Sequence, residues 1–97
     1  MKLAATIEYT PDKGRITSVR PAHRQYLSQL YDRGRLLLAG PFEDDSGALI
    51  VYEAESIEAA EALLRDDPFC REGVFVRWEI RPWRLVFINN LVPTKPS

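Results

Sequence analysis

The chain has 97 residues, of which 45% are apolar and 28% charged, and its thirteen basic and fourteen acidic side chains leave a formal charge of −1. This length predicts one domain with a thin core. The single cysteine and single histidine exclude a disulfide framework and a zinc-finger site, so we expect no metal, and the balanced charge argues against nucleic-acid binding. No apolar run is long enough to span a bilayer and no secretion signal is visible, so we expect a cytoplasmic protein with no membrane partner.

The first half of the chain predicts a strand, a helix and a hairpin. Apolar side chains alternate along residues 3–9, which is typical of a strand, and residues 11–14 have the composition of a turn. Pro21 suits the first turn of a helix, and apolar residues recur from there at helical spacing until Gly34, a plausible C-cap. Two short apolar runs, at residues 35–39 and 48–52, flank a polar turn and predict the hairpin.

The second half of the chain predicts a helix, a strand and an extension. Ser56 is a favourable N-cap for a helix that should end at Asp67, because Pro68 disfavours helical geometry in the residue before it. Residues 74–81 alternate as a strand does. We expect the domain to span residues 1–83. Residues 84–97 are expected to form an extension, in which the apolar residues 85–88 make a fifth strand or an arm before a frayed tail.

The element order is strand, helix, strand, strand, helix, strand, which is the βαββαβ pattern of ferredoxin-like α+β folds. We expect a four-stranded antiparallel sheet with two helices on one face. The runs at residues 36–39 and 48–52 do not alternate and are apolar on both faces, so the open face of the sheet should meet a partner. The simplest partner is a second copy, giving a homodimer. The alternative is that residues 85–88 fold back over the sheet.

His23 is the first candidate for chemistry because it is the only histidine and lies at helical spacing from Tyr26, Leu27 and Leu30. Residues at this spacing share one helix face, so we expect the imidazole to face inward from the first turn of the helix. A neutral imidazole donates one hydrogen bond and accepts another, and its ordinary pKa near 6.5 suits proton transfer. The alternative is a histidine that bonds a backbone carbonyl and only packs.

Asp67 is the second candidate, and it has two interpretations. An aspartate before a proline is an ordinary cap for a short helical turn. The same carboxylate could instead bind one imidazole nitrogen of His23 and leave the other nitrogen as a base. The two helices of this fold lie side by side, so the distance between these residues in the sequence is no obstacle.

Candidate substrate contacts surround these two residues. Arg20 and Arg24 flank His23 and are placed to hold an acidic substrate, although such arginines also occur as solvated surface. Gly40, followed by Pro41, comes directly after a strand and permits close backbone approach or a bulge; a plain strand end is the alternative. Cys70 has no second soft ligand near it in the sequence and is interpreted as a small buried filler.

Three segments can then be read together: Arg20-Pro-Ala-His23-Arg-Gln-Tyr26-Leu27, Gly34-Arg-Leu36-Leu-Leu-Ala39-Gly40-Pro41-Phe42 and Asp67-Pro68-Phe69. In this order they resemble the YciI-like (YCII-related) family over residues 1–83. The resemblance implies a ferredoxin-like fold that dimerises as an α+β barrel and a His–Asp active site on His23 and Asp67, with Phe69 as a further substrate contact. Some relatives are linked to elimination on chlorinated hydroxyquinones, and muconolactone isomerases share the barrel.

Two functions remain open from the sequence. The first is a cofactor-free enzyme in which His23 is the general base or acid and Asp67 orients it, for elimination or isomerisation of a small acidic or cyclic molecule. The second is a non-catalytic dimeric module that binds a small ligand or another protein, with Asp67 as a cap and His23 as a packed residue. An oxygen-dependent monooxygenase of the same barrel type is weaker, because no sequence feature marks redox chemistry.

Overall fold

The computed structural model describes residues 1–89. Four strands form one antiparallel sheet in the order β2-β3-β1-β4, which confirms the expected ferredoxin-like α+β arrangement. The elements, in chain order, are β1 (Lys2–Tyr9), α1 (Lys13–Asp32), β2 (Leu36–Pro41), β3 (Gly47–Glu53), α2 (Ile57–Arg65), the single turn α3 (Pro68–Arg71) and β4 (Phe75–Trp83).

Helix α1 begins eight residues earlier than the sequence predicts, at Lys13 and not at Pro21. Its N-cap is Asp12, whose carboxylate accepts a hydrogen bond of 3.1 Å from the backbone N–H of Arg15. Pro21 therefore lies inside the helix, where it removes one backbone hydrogen bond. The extra turns bury Ile16, which is 1% exposed. The free energy gained by burying this side chain offsets the lost hydrogen bond. His23 consequently lies near the middle of the helix and not in its first turn.

Strand β2 continues through Gly40 and Pro41, although both were expected to end it or to form a bulge there. Pro41 pairs with Ala48 of β3, and the missing N–H is tolerated because β2 lies at an edge of the sheet. The irregular register falls between Leu36 and Leu38 instead. A side chain at Gly40 would meet no atom within 4 Å, so close approach within the chain does not explain this glycine.

The core lies between the sheet and the helices. Alternate residues of β1 face the helices and are buried, as its period-two pattern predicts, and the residues of β3 that pair with them face the same side. The buried apolar residues include Leu3, Ala5, Ile7, Ile50, Tyr52, Ile16, Leu30, Leu64 and Phe69. Leu49 and Val51 occupy the other face of β3, so this strand is apolar on both faces, as its unbroken apolar run indicates.

Residues 84–89 lie in neither a helix nor a strand, so the fifth strand considered for residues 85–88 is not formed. Val86, Phe87 and Ile88 are 70%, 92% and 63% exposed, so these three side chains do not pack on the sheet, whereas Leu85 is half-buried. The frayed tail expected after them lies outside the described residues. None of the helices described here combines the length and the apolarity that crossing a bilayer requires.

Candidate functional site

His23 and Asp67 meet where α1 packs against α3. The imidazole Nδ1 lies 2.8 Å from Oδ1 and 2.9 Å from Oδ2 of the carboxylate. The two residues are 6% and 0% exposed, so both groups are withdrawn from water. The partner of the imidazole is thus a carboxylate, not the backbone carbonyl of the alternative interpretation.

Asp67 also caps α3, so the two interpretations of this residue describe one arrangement. Its Oδ1 accepts a hydrogen bond of 2.8 Å from the backbone N–H of Phe69, and Pro68 occupies the first helical position. The cap fixes the carboxylate, and the carboxylate fixes the imidazole. Because an ionised carboxylate only accepts hydrogen bonds, a neutral imidazole in this position would donate through Nδ1 and keep its lone pair on Nε2.

Phe69 supports the imidazole from behind. The two rings are stacked, with centroids 3.9 Å apart and planes at 9°, and the ring of Phe75 meets His23 edge-on at 6.0 Å. Phe69 is 0% exposed and is absent from the wall of the cavity beside His23. The structure therefore places this expected substrate contact in the core, where it sets the plane of the imidazole.

A small cavity of about 80 Å³ opens beside His23. At about 10–15 Å³ for each water-sized group, it has room for roughly five to eight such groups. The cavity brings together four of the residues that the sequence singles out, His23, Arg24, Gly40 and Pro41. The rest of its lining is formed by Tyr9, Leu27, Ala39, Ala48 and Ile50.

Arg20 has another partner. Its guanidinium donates a 2.9 Å hydrogen bond to the carboxylate of Asp45, and it is absent from the cavity wall. Asp45 lies in the turn between β2 and β3 with a φ of 58°, a left-handed conformation that is uncommon outside glycine. Arg20 therefore fastens this turn to α1, in place of the substrate contact expected for it.

Tyr9 is the cavity residue that sequence reasoning missed. The alternating pattern assigns it to the core, and the residue is indeed only 4% exposed. It is also the last inward-facing position of β1, and its backbone N–H donates a 2.8 Å hydrogen bond to the carbonyl of Ser46 in the β2–β3 turn. A polar-tipped side chain at the end of an otherwise apolar inward series is the signal that could have identified it.

Residues 1–89 contain no group of three or more histidine, cysteine and acidic side chains placed to hold a metal ion. Cys70 is half-buried beside the core, and burial raises the pKa of its thiol. A thiol held in its neutral form is a weak nucleophile and a weak ligand, in keeping with a filler.

A family model for the YCII-related domain matches residues 1–84. The chain belongs to the YCII-related family. Protein YciI from Escherichia coli O6:H1 is 41% identical over 80 residues, which cover 72% of this chain and 82% of that protein. The uncharacterized protein YjpA from Bacillus subtilis is 35% identical over 63 residues, which cover 65% of this chain and 73% of that protein. The family expected from the three sequence segments is thus confirmed.

Solved structures share the fold. The 5-chloro-2-hydroxyhydroquinone dehydrochlorinase TftG from Burkholderia phenoliruptrix AC1100, solved with 2,5-dihydroxybenzoquinone, superposes with a TM-score of 0.76 at 23% identity over 87% of this chain and 94% of that chain. Muconolactone isomerase superposes with a TM-score of 0.62 at 14% identity over 97% of both chains. At these identities the likeness establishes the α+β fold.

Proposed function

We propose that this member of the YCII-related family is a cofactor-free enzyme that transfers a proton on a small molecule, leading to elimination or isomerisation. His23 acts as general base or acid, and Asp67 is its positioning residue. The observation that carries the proposal is the contact of Nδ1 with both carboxylate oxygens, at 2.8 and 2.9 Å, at the edge of a cavity. This contact directs the basic lone pair to Nε2, the ring nitrogen that Asp67 does not hold.

The cavity limits the substrate class. Its volume of about 80 Å³ suits a small, compact or cyclic molecule. Arg24 lines the cavity and is otherwise exposed, so its guanidinium would bind an acidic group of the substrate. Gly40 and Pro41 form the neighbouring wall and would contact the body of the substrate. The structural neighbours TftG and muconolactone isomerase have the same fold, and each is named for a reaction on a small molecule, which supports this substrate class.

Two variants test the assignment. We expect His23→Gln to abolish chloride release from 5-chloro-2-hydroxyhydroquinone or deuterium incorporation into muconolactone from D2O, the two probes taken from the structural neighbours. Asp67→Asn keeps a side chain that caps helices well but presents the wrong hydrogen-bonding pattern to Nδ1, so it should lower kcat by roughly 10²- to 10⁴-fold with the fold intact.

The competing function is the non-catalytic module, and the same assay separates the two. A wild-type chain that binds 2,5-dihydroxybenzoquinone but turns over neither probe supports the module. Full activity in His23→Gln removes His23 from the mechanism. Circular dichroism of each variant provides the control that the fold is retained.

A homodimer completes the proposal. The face of the sheet opposite the helices carries an apolar centre at Leu38, Leu49 and Val51, of which Val51 is buried and Leu38 is 36% exposed. Ion pairs surround this centre, including Lys2–Glu53 at 3.0 Å and Glu8–Arg77 at 3.2 Å. An apolar centre with a polar rim is the usual composition of a protein interface. A cytoplasmic location belongs to the same proposal and fits a single cysteine that has no disulfide partner in the chain.

A further inference from the structure

Tyr9 and His23 share one aromatic support. The ring of Tyr9 meets Phe69 edge-on, with centroids 5.3 Å apart, and stacks against Phe75 at 6.0 Å. Phe69 is the same ring that stacks on His23 at 3.9 Å. Both polar rings are therefore fixed against one buried residue while both line the cavity. A side chain wedged in this way loses little further freedom when it binds a ligand.

The Tyr9 hydroxyl differs from those of the other core tyrosines. Tyr26 donates a 2.6 Å hydrogen bond to the carbonyl of Leu63, and the hydroxyl of Tyr52 is sealed from solvent without a partner. The Tyr9 hydroxyl is not sealed in this way, and it forms no hydrogen bond with another residue in the range 1–89. Because the hydroxyl of a buried tyrosine ordinarily has a partner, this one is available to a molecule in the cavity.

Burial keeps the hydroxyl of Tyr9 a hydrogen-bond donor. Burial raises the pKa of Tyr9 to about 12, although the guanidinium of Arg20 opposes the shift, and the carboxylates of Asp67 and Asp45 raise the pKa further. The phenol is therefore protonated at neutral pH. A neutral O–H in a cavity lined mainly by apolar residues is suited to stabilise an oxyanion, since it is held in place before the charge develops.

We propose that Tyr9 is a second catalytic residue, which donates a hydrogen bond to the substrate oxygen that gains negative charge when His23 removes a proton. The inference rests on the proposed function and narrows its substrate to a carbonyl compound with an acidic C–H next to the carbonyl or conjugated with it. The C–H bond breaks, its proton passes to Nε2, and its electron pair forms a C=C bond as the carbonyl π pair moves to oxygen. The Tyr9 hydroxyl stabilises that oxygen until a proton returns elsewhere or a leaving group departs.

Tyr9→Phe removes the hydroxyl and keeps both aromatic contacts. For deuterium incorporation into muconolactone, we expect kcat to fall roughly 100-fold, as for loss of one oxyanion donor, with KM near the wild-type value. Tyr26→Phe is the matched control and should keep the wild-type kcat, because its hydroxyl binds Leu63 outside the cavity wall.

The outcomes separate this inference from the proposed function. Wild-type kcat in Tyr9→Phe, alongside an inactive His23→Gln, overturns the role of Tyr9 and leaves the His–Asp mechanism standing. Equal losses of kcat in Tyr9→Phe and Tyr26→Phe also overturn it, because a general weakening of the core would then explain both. A wild-type chain that incorporates no deuterium contradicts the proposed function and this inference together.

Discussion

At the scale of single residues, the carboxylate of Asp67 both caps a helix and binds the imidazole. Its carboxylate caps α3 through the N–H of Phe69 and holds Nδ1 of His23. Sequence reasoning set these roles against each other, because a capping pattern is local whereas the His23 contact depends on how α1 and α3 pack. The sequence predicted both residues correctly as neighbours in space, since two helices on one face of a small sheet have few ways to avoid contact.

The surroundings of other candidate residues could not be predicted, because they depend on contacts with residues distant in the sequence. Arg20 has a side chain suited to bind an acidic substrate, but its pairing with Asp45 depends on the path of the β2–β3 turn. Phe69 follows Asp67 directly, yet it points into the core. Tyr9 shows the opposite case, since its period-two position indicates burial but not that the residue lines a cavity.

The buried phenols predict a loss of stability in alkali. Burial raises the pKa values of Tyr9 and Tyr26 to about 12 and that of Tyr52 well above its usual range, whereas an unfolded tyrosine ionises near 10. Because the folded values are the higher ones, this contribution to stability is complete below about pH 10 and is lost as the pH rises towards 12. In thermal melts between about pH 10 and 12, the rise in phenolate absorbance from these phenols should coincide with unfolding. Ionisation of Tyr9, Tyr26 and Tyr52 near pH 10 in a Tyr31→Phe chain that stays folded would contradict this.

At the scale of elements, the strands were predictable and the start of α1 was not. Alternation of apolar side chains identifies β1 and β4 directly. Pro21 misled the prediction, because its fixed φ suits a first helical turn equally well and only the packing of Ile16 decides for the earlier start at Lys13. Gly40 and Pro41 led to the wrong end for β2, because an edge strand accepts a proline that an inner strand would exclude.

Gly47 is a point of close approach between β1 and β3. A Cβ there would collide with the backbone carbonyl oxygen of Ile7 and lie 3.3 Å from the Cα of Glu8. Since backbone atoms of a paired strand cannot move aside, we expect Gly47→Ala to lower the free energy of unfolding by about 1–3 kcal/mol or more in urea denaturation. Gly40→Ala is the matched control and should change it by less than about 0.5 kcal/mol, because the added Cβ meets nothing. Equal effects of the two substitutions would contradict this account of the sheet.

At the scale of the whole molecule, the order of elements determined the fold. Six segments in the order βαββαβ leave few topologies, and the observed β2-β3-β1-β4 sheet is one of them. The second face of the sheet could be predicted only as an apolar surface in need of cover. The proposed second copy would supply that cover, and the sequence indicates the need for it without showing the contact.

The proposed dimer gives a matched pair of variants. Leu38 on the open face and Ile57 on α2 are each 36% exposed. We expect Leu38→Glu to halve the mass measured by light scattering at micromolar concentration, from twice 11.1 kDa to a single chain, because a charge would be buried in the interface. Ile57→Glu should leave the mass unchanged, since α2 covers the other face. A wild-type chain of 11.1 kDa in the same experiment would contradict the dimer.

The most direct test of the account is the protonation of one imidazole. Because His23 is the only histidine, a ¹⁵N NMR spectrum of labelled protein reports its two ring nitrogens without ambiguity. At a pH where the ring is neutral, we predict a protonated Nδ1 bonded to Asp67 and an unprotonated Nε2, with the preference lost in Asp67→Asn. A proton on Nε2 in the wild-type chain would mean that the nitrogen left free for the cavity carries no lone pair, and it would contradict the assignment of His23 as the base.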